Sequence, residues 1–265
     1  MKNMISIVVI EYNSLDDIDR CITTIRQRCA GMEYEIIVSS NSCYPKEKQD
    51  EIVRAMADVR WCFNERNGGF AYGMNRGLEQ ATGDYLVIMN PDVKLQSSLN
   101  RLVTFLKDNP EVGAVAPQIV GNDGNVQDSC RSFVTPFRFA ARQLNRIFTK
   151  KASILDSGFD YSQIQRVDCV IGAFIMITRQ VYEDVGGLDE SYFMYAEDID
   201  FCTRIRESGY EVVYDPTVKI IYEGSRSARK DKRFARIFIQ SHIKYWRKFG
   251  FFSMNYPKYE KKVYL

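Results

Sequence analysis

Residues 4–14, Met-Ile-Ser-Ile-Val-Val-Ile-Glu-Tyr-Asn-Ser, decide the fold class. Met4 to Ile10 form an apolar, β-branched run without alternation, the pattern of a strand buried on both faces. Ser14 then stands at a helix-cap position, ahead of Leu15, Ile18, Ile22 and Ile25 at helical spacing. Working outward, a second strand, Tyr34–Ser39, closes on the polar turn Ser40-Asn41-Ser42. A helix over 46–57 and a third strand over Val59–Phe63 follow. Asn67-Gly68-Gly69 opens a helical stretch within 67–82, and strand Asp84–Met89 stops at Asn90-Pro91-Asp92. A helix over 97–108 and a strand over Gly113–Val120 complete the alternation. Strands and helices alternating through short connections predict an open, mostly parallel α/β sheet flanked by helices. Ligands in such sheets bind beyond the carboxyl ends of the strands, where these polar turns fall.

The second half is less regular. Residues 121–166 show no sustained periodicity and read as a long excursion or lid. An apolar strand is expected over Val167–Ile177, with helices over 179–184 and 197–208. Pro216 is expected to precede a short strand to Tyr222, and a basic helix covers about 230–249.

The 265 residues are 45% hydrophobic and 26% charged, ordinary for a globular protein. No apolar stretch approaches bilayer length, and no secretory signal is expected. Seven scattered cysteines without a CxxC pair speak against a zinc ribbon or a disulfide framework and fit a reducing cytoplasm. His242 is the only histidine, which excludes multi-histidine metal sites. The net charge of +2 conceals an asymmetry: residues 224–265 carry 12 Lys/Arg against two acids, leaving 24 against 32 elsewhere. Such a basic end is expected to have its own partner. Its interleaved aromatics (Phe234, Phe238, Tyr245, Trp246, Phe249, Phe251, Phe252) suit a membrane surface. An amphipathic helix packed on the core is the other reading.

Three motifs carry chemistry. Asp92, after a buried strand, can reach a divalent cation held by phosphate oxygens, or the Asn-Pro-Asp turn can simply satisfy its own backbone. The paired glycines at 68–69 permit close backbone approach to a ligand, and N–H groups at a helix start attract phosphate; close helix–sheet packing is the alternative. Tyr192-Phe193-Met194-Tyr195-Ala196-Glu197-Asp198-Ile199-Asp200 gathers three acids in four residues beside aromatics. These acids suit either a helix macrodipole or a general base.

With these pieces in order, the chain resembles the family 2 glycosyltransferases of GT-A fold, in the branch with many bacterial rhamnosyltransferases and polysaccharide-assembly enzymes. The resemblance rests on SIVVIEYNS, EIIVSSNS, ERNGGFAYGMNRGL, GDYLVIMNPDV, VGAVAPQI, VIGAFIMITRQVYEDVGGLDESYFMYAEDIDFCTRIRESGY and VVYDPTVKIIYEGSRS, spanning residues 5 to about 227. It implies an inverting transfer of rhamnose or another hexose from a UDP- or dTDP-sugar to a hydroxyl of a glycan or polyprenyl-diphosphate-linked acceptor. It implies a catalytic domain over 1–223, with donor half about 1–120 and acceptor half about 121–223; the change of charge at about residue 224, not the resemblance, marks off a basic helical extension over 224–265. Tyr12 resembles the aromatic on the donor base, with Ile10 and Ser40 beside it. Asn67, Gly68, Gly69, Asn75 and Asn90 would line the donor, and Gly172 and Ala173 would lie under its sugar. Asp92 would bind Mg²⁺ or Mn²⁺, Asp198 would be the base, and Glu197 would place the acceptor. Arg226 or Arg229 would help stabilise the leaving diphosphate. The implied location is cytoplasmic, peripheral on the inner face of the cell membrane, and no nucleic-acid partner is expected.

Three positions depart from the family pattern. Ser40 replaces the usual Asp at the base, Glu11 the usual Thr before Tyr-Asn, and Tyr222 the usual His after the last strand. A phenol is a poorer ligand than imidazole for Mg²⁺ or Mn²⁺. A nucleotide-sugar-binding protein with weak or lost activity is therefore the alternative.

Overall fold

The computed structural model describes residues 3–133, 136, 159–224, 232–250 and 262–264. β1 (Ile5–Glu11) is buried along its whole length, with its apolar residues joined by a buried Ser6 and Glu11. It pairs in parallel with β2 (Tyr34–Ser40) and β4 (Tyr85–Met89), and β2 pairs in parallel with β3 (Arg60–Phe63). The connections are α1 (Leu15–Arg28), α2 (Lys46–Ala55) and α3 (Phe70–Leu78). Beyond β4 come the short β5 (Lys94–Leu95), α4 (Asn100–Asp108), β6 (Val112–Val120) and β7 (Cys130–Arg131). Then follow β8 (Gln165–Val167), β9 (Cys169–Val170), β10 (Phe174–Thr178), α5 (Arg179–Val185), α6 (Glu197–Glu207), β11 (Glu211–Ile221) and α7 (Lys232–Phe249).

Among the described residues one sheet runs β3-β2-β1-β4-β10-β6-β11-β5, with β8 beside β11. β10, β5 and β8 run against the other strands, so the sheet is mixed but mostly parallel. Two apolar layers sandwich it. α1 and α4 cover one face through Ile18, Ile22, Ile25, Leu102 and Phe105; α3 and α6 cover the other through Met74, Leu78, Phe201 and Ile205.

Four local expectations need correction. Ser14 stands at the start of α1, but its hydroxyl makes no capping bond; its own N–H instead donates to Glu11 Oε1 at 2.9 Å. The apolar run Val167–Ile177 is not one strand. Asp168 and the corner Ile171–Ala173 divide it, and β9 leaves the main sheet to pair with β7. Pro216 lies inside the long β11, at an irregularity between Asp215 and Lys219 where the chain needs no ladder bond. The start of α3 is not a row of open N–H groups: Gly69 N–H donates to Asn67 Oδ1 (3.0 Å) and Phe70 N–H to Phe193 O (2.8 Å).

Candidate active site

The carboxyl ends of β1, β2, β4 and β11 and the amino end of β10 share one edge of the sheet. β10 begins there because it is antiparallel to β4, which pairs Phe174 with Met89. This places the Gly172–Ala173 corner beside the Asn90-Pro91-Asp92 turn: Asn90 N–H donates to Ala173 O at 3.0 Å. Asn90 Nδ2 donates to the Tyr222 hydroxyl at 3.1 Å, tying the end of β11 to the same turn.

On the other side of the corner, Gly172 N–H donates to Asp198 Oδ2 at 3.0 Å, and Ile199 N–H donates to Asp198 Oδ1 at 2.8 Å. A carboxylate fixed by one amide on each oxygen retains a lone pair on each for a substrate hydroxyl. Gly172 permits this approach, since a Cβ there would stand 3.3 Å from Asp198 Cβ. Glu197, at the first position of α6, is buried, and its Oε2 has no hydrogen-bond partner among the described residues. Burial, reinforced by the Asp198 charge, pushes its carboxyl up to about 8, so at neutral pH it is chiefly a neutral acid. Asp92 is half-buried, and burial raises its carboxyl above the ordinary range. Burial, and then the Asp92 charge, push the Tyr222 phenol up to about 12. The structure thus brings Asn90, Asp92, Gly172, Ala173, Glu197 and Asp198 to one place, with Tyr222 among them. Glu223 turns away, accepting from Asn122 N–H at 2.8 Å. Arg226, Arg229, Phe251 and Phe252 lie outside the described residues, as does most of the 121–166 excursion.

The ends of β1 and β2 make a second cluster. Tyr12 follows β1 directly and is 54% exposed. Ile10 is buried, its Cδ1 filling the space that a Cβ at Gly73 would take. Ser40 is only 1% exposed. Its hydroxyl donates to Glu11 Oε2 at 2.5 Å, and the Glu11 carboxylate also receives the Ser42 hydroxyl (2.8 Å), the Tyr44 hydroxyl (3.1 Å) and the Ser14 amide. Glu11 and Ser40 are register partners on adjacent strands. Against the pattern that the resemblance implies, the acid and the hydroxyl stand on exchanged strands. The buried Glu11 charge is compensated by a full set of donors.

The glycine turn and Asn75 serve a linking role. Asn41 Nδ2 donates to Gly69 O (2.9 Å), and Asn64 Nδ2 donates to Asn41 Oδ1 (2.9 Å). Gly69 adopts φ of 94°, and a Cβ there would lie 2.1 Å from Phe193 O. Asn75 uses its whole amide on the loop before the acids: Nδ2 donates to Leu188 O and Glu190 Oε1, and Oδ1 accepts from Leu188 N–H. Sequence reasoning missed Ser42, Tyr44, Asn64, Ser241 and Lys248. The first two lie in the turn after β2, whose polarity was visible, but their partner on β1 was not.

A family model described as "Glycosyl transferase family 2" matches residues 6–186, and one described as "N-terminal domain of galactosyltransferase" matches 156–225. Among similar proteins is the N-acetylglucosaminyl-diphospho-decaprenol L-rhamnosyltransferase of Mycobacterium tuberculosis, 23% identical over 87% of this chain and 80% of its own length. Rhamnosyltransferase WbbL of Escherichia coli K12 is 22% identical over 83% of each chain. Among solved structures, GalNAc-T7 with UDP, GalNAc and Mn²⁺ superposes with a TM-score of 0.61 at 17% identity, over 84% of this chain and 44% of its own. A mannosyltransferase of Pyrobaculum calidifontis with GDP-Man and Mn²⁺ gives 0.59 at 19% identity, over 96% and 65%. This chain thus spans less than two thirds of both solved chains, and the likeness to these GT-A enzymes is one of fold.

Proposed function

The chain belongs to glycosyl transferase family 2, and on that premise we propose that it moves rhamnose or another hexose from a UDP- or dTDP-sugar to a hydroxyl of a glycan or polyprenyl-diphosphate-linked acceptor, inverting the anomeric carbon. The observation that carries this reading is Asp198, held by the Gly172 and Ile199 amides at the sheet edge where ligands of α/β folds bind. In the transfer, Asp198 takes the acceptor hydroxyl proton as that oxygen bonds to the anomeric carbon. The bond from that carbon to the diphosphate breaks on the far side, and the diphosphate leaves with the electron pair. Neutral Glu197 can donate a hydrogen bond to the acceptor, which an ionised neighbour could not.

Asp92 fits Mg²⁺ or Mn²⁺ as a sole carboxylate ligand. Its carboxyl, raised by burial, pairs with no cation among the described residues, and such ions take their remaining oxygens from water and phosphate. Among the described residues no cluster of three or more His, Cys, Asp or Glu forms a fuller cage. When bound, the ion would neutralise charge gathering on the departing diphosphate.

Residues 1–120 would then serve the donor and 121–223 the acceptor. Among the described residues no helix is long and apolar enough to cross a membrane. The outer face of α7, with Lys232 and Arg236 exposed and Ile239 56% exposed, suits an anionic lipid surface on the cytoplasmic side of the cell membrane. Flotation with anionic vesicles should fall for Lys232→Glu/Arg236→Glu; equal flotation dismisses the membrane role.

Asp198→Asn should lower transfer by roughly a thousandfold or more while nucleoside diphosphate affinity stays within about twofold. Lost binding with unchanged turnover would overturn the assignment. Asp92→Ala should remove the Mn²⁺ dependence of that affinity in calorimetry. Tyr222 and the buried Ser40 favour a second reading, a nucleotide-sugar-binding protein with little turnover. A donor panel that binds without any transfer would select it.

A further inference from the structure

The segment that delivers Glu197 and Asp198 has a backbone that its own residues do not favour. Tyr195 and Ala196 take φ of 69° and 64°, a left-handed pair without glycine. Such a turn persists only where its surroundings hold it.

On one side the hold comes from α3, through Phe70 N–H on Phe193 O. On the other it comes from α7, and there it is laid out at helical spacing. The Phe238 ring meets Tyr195 edge-on at 5.4 Å. Ser241 Oγ donates to Met194 O at 2.8 Å. The Tyr245 and Thr203 hydroxyls lie 2.9 Å apart. Lys248 Nζ reaches both Asp189 Oδ2 (2.8 Å) and Asp200 Oδ1 (2.6 Å), one acid before the turn and one after it. Asp200 is fully buried and takes its second cation from Arg204 Nε at 2.7 Å. A single stripe of α7 thus grips the acid segment at both ends and in the middle.

Ordinary packing would need only the apolar contacts among Tyr192, Ala196, Tyr245 and Trp246. Ser241 and Lys248 add directional bonds to the backbone of the turn and to the two acids that flank it. We propose that Ser241 and Lys248 are positioning residues for Asp198: α7 is part of the catalytic apparatus and acts on turnover rather than on donor binding. This rests on the reading of the site as a sugar transferase.

The test uses the full chain as wild type, Ser241→Ala, Ser241→Thr, Lys248→Met and Gln240→Ala, the last an exposed position on the same helix. Ser241→Ala and Lys248→Met should each lower kcat by about tenfold or more, with donor KM and UDP or dTDP affinity within about twofold. Ser241→Thr, which restores the hydroxyl, should recover kcat to within about threefold of wild type, and Gln240→Ala should match it. Amide hydrogen exchange over 193–199 should speed up by about tenfold in Ser241→Ala without change in β1 and β4. Unchanged kcat in both variants, or donor affinity falling in step with kcat, would overturn the proposal. Should the wild type transfer nothing, the transferase reading falls. The exchange measurement then still decides the clamp: faster exchange supports it, and unchanged exchange overturns it.

Discussion

Glu197 and Asp198 are neighbours in the chain and opposites in environment. Asp198 receives two amides, whereas Glu197 is buried against that charge and holds its proton to about pH 8. Because this pKa stands above the unfolded value of 4.5, the folded chain binds a proton that the unfolded chain releases. The associated stability is complete below pH 4.5 and is lost as pH rises through about 8. Glu197→Gln removes this dependence. Its melting temperature should therefore gain on wild type steadily between pH 5 and 8, and a constant difference would show that the carboxyl is not raised. Gly172→Ala probes the same site by size. The new methyl stands 3.3 Å from Asp198 Cβ, so the acid must shift by a few tenths of an ångström. We expect a fold-neutral loss of roughly tenfold in kcat, read beside an unchanged circular-dichroism melt. The identity of these acids was legible in the sequence. The raised carboxyl of Glu197 was not, because it comes from burial and from the neighbouring Asp198 charge, which only the fold supplies.

Adjacent strands explain what single positions cannot. Read alone, Glu11 is an unexpected charge and Ser40 a missing acid; paired across β1 and β2 they form one carboxylate–hydroxyl contact with its ends reversed. Glu11→Gln replaces one accepting oxygen with an NH2 donor that faces other donors, and should cost about 1–3 kcal/mol in urea unfolding. Combining Glu11→Thr with Ser40→Asp returns the acid to the other strand, and the pair should be markedly more stable than the sum of the two single changes. Simple additivity would show that the network does not tolerate the exchange. The parallel strands were legible because their β-branched runs and terminal polar turns are local signals. The break at Ile171–Ala173 was not, since continuous apolarity does not reveal where a chain changes partner. The same limit hid Pro216 within β11, where a bulge rather than a strand end accommodates the ring.

At the scale of the whole molecule, the charge asymmetry described the outer face of the C-terminal region and said nothing of its inner face. Tyr245 and Trp246 are buried against Tyr192 and Ala196, some fifty residues earlier in the chain, and Lys248 neutralises a fully buried Asp200. Contacts of that separation leave no periodic trace, so the packed and the membrane-facing readings of the helix were not distinguishable until the fold placed it; its buried stripe and its exposed basic residues are different sides of the same element. Lys248→Met should destabilise the chain by about 1–3 kcal/mol, since Lys248 is partly exposed and Arg204 still pairs with the buried Asp200, measured by denaturant titration.

That placement bears on how the gene product is handled in the laboratory. A clone trimmed to the stretch that family models recognise ends before α7 and leaves an aromatic seam and a buried aspartate open to water. Silence from such a fragment in an assay would report the missing helix, not the chemistry of a chain that keeps it.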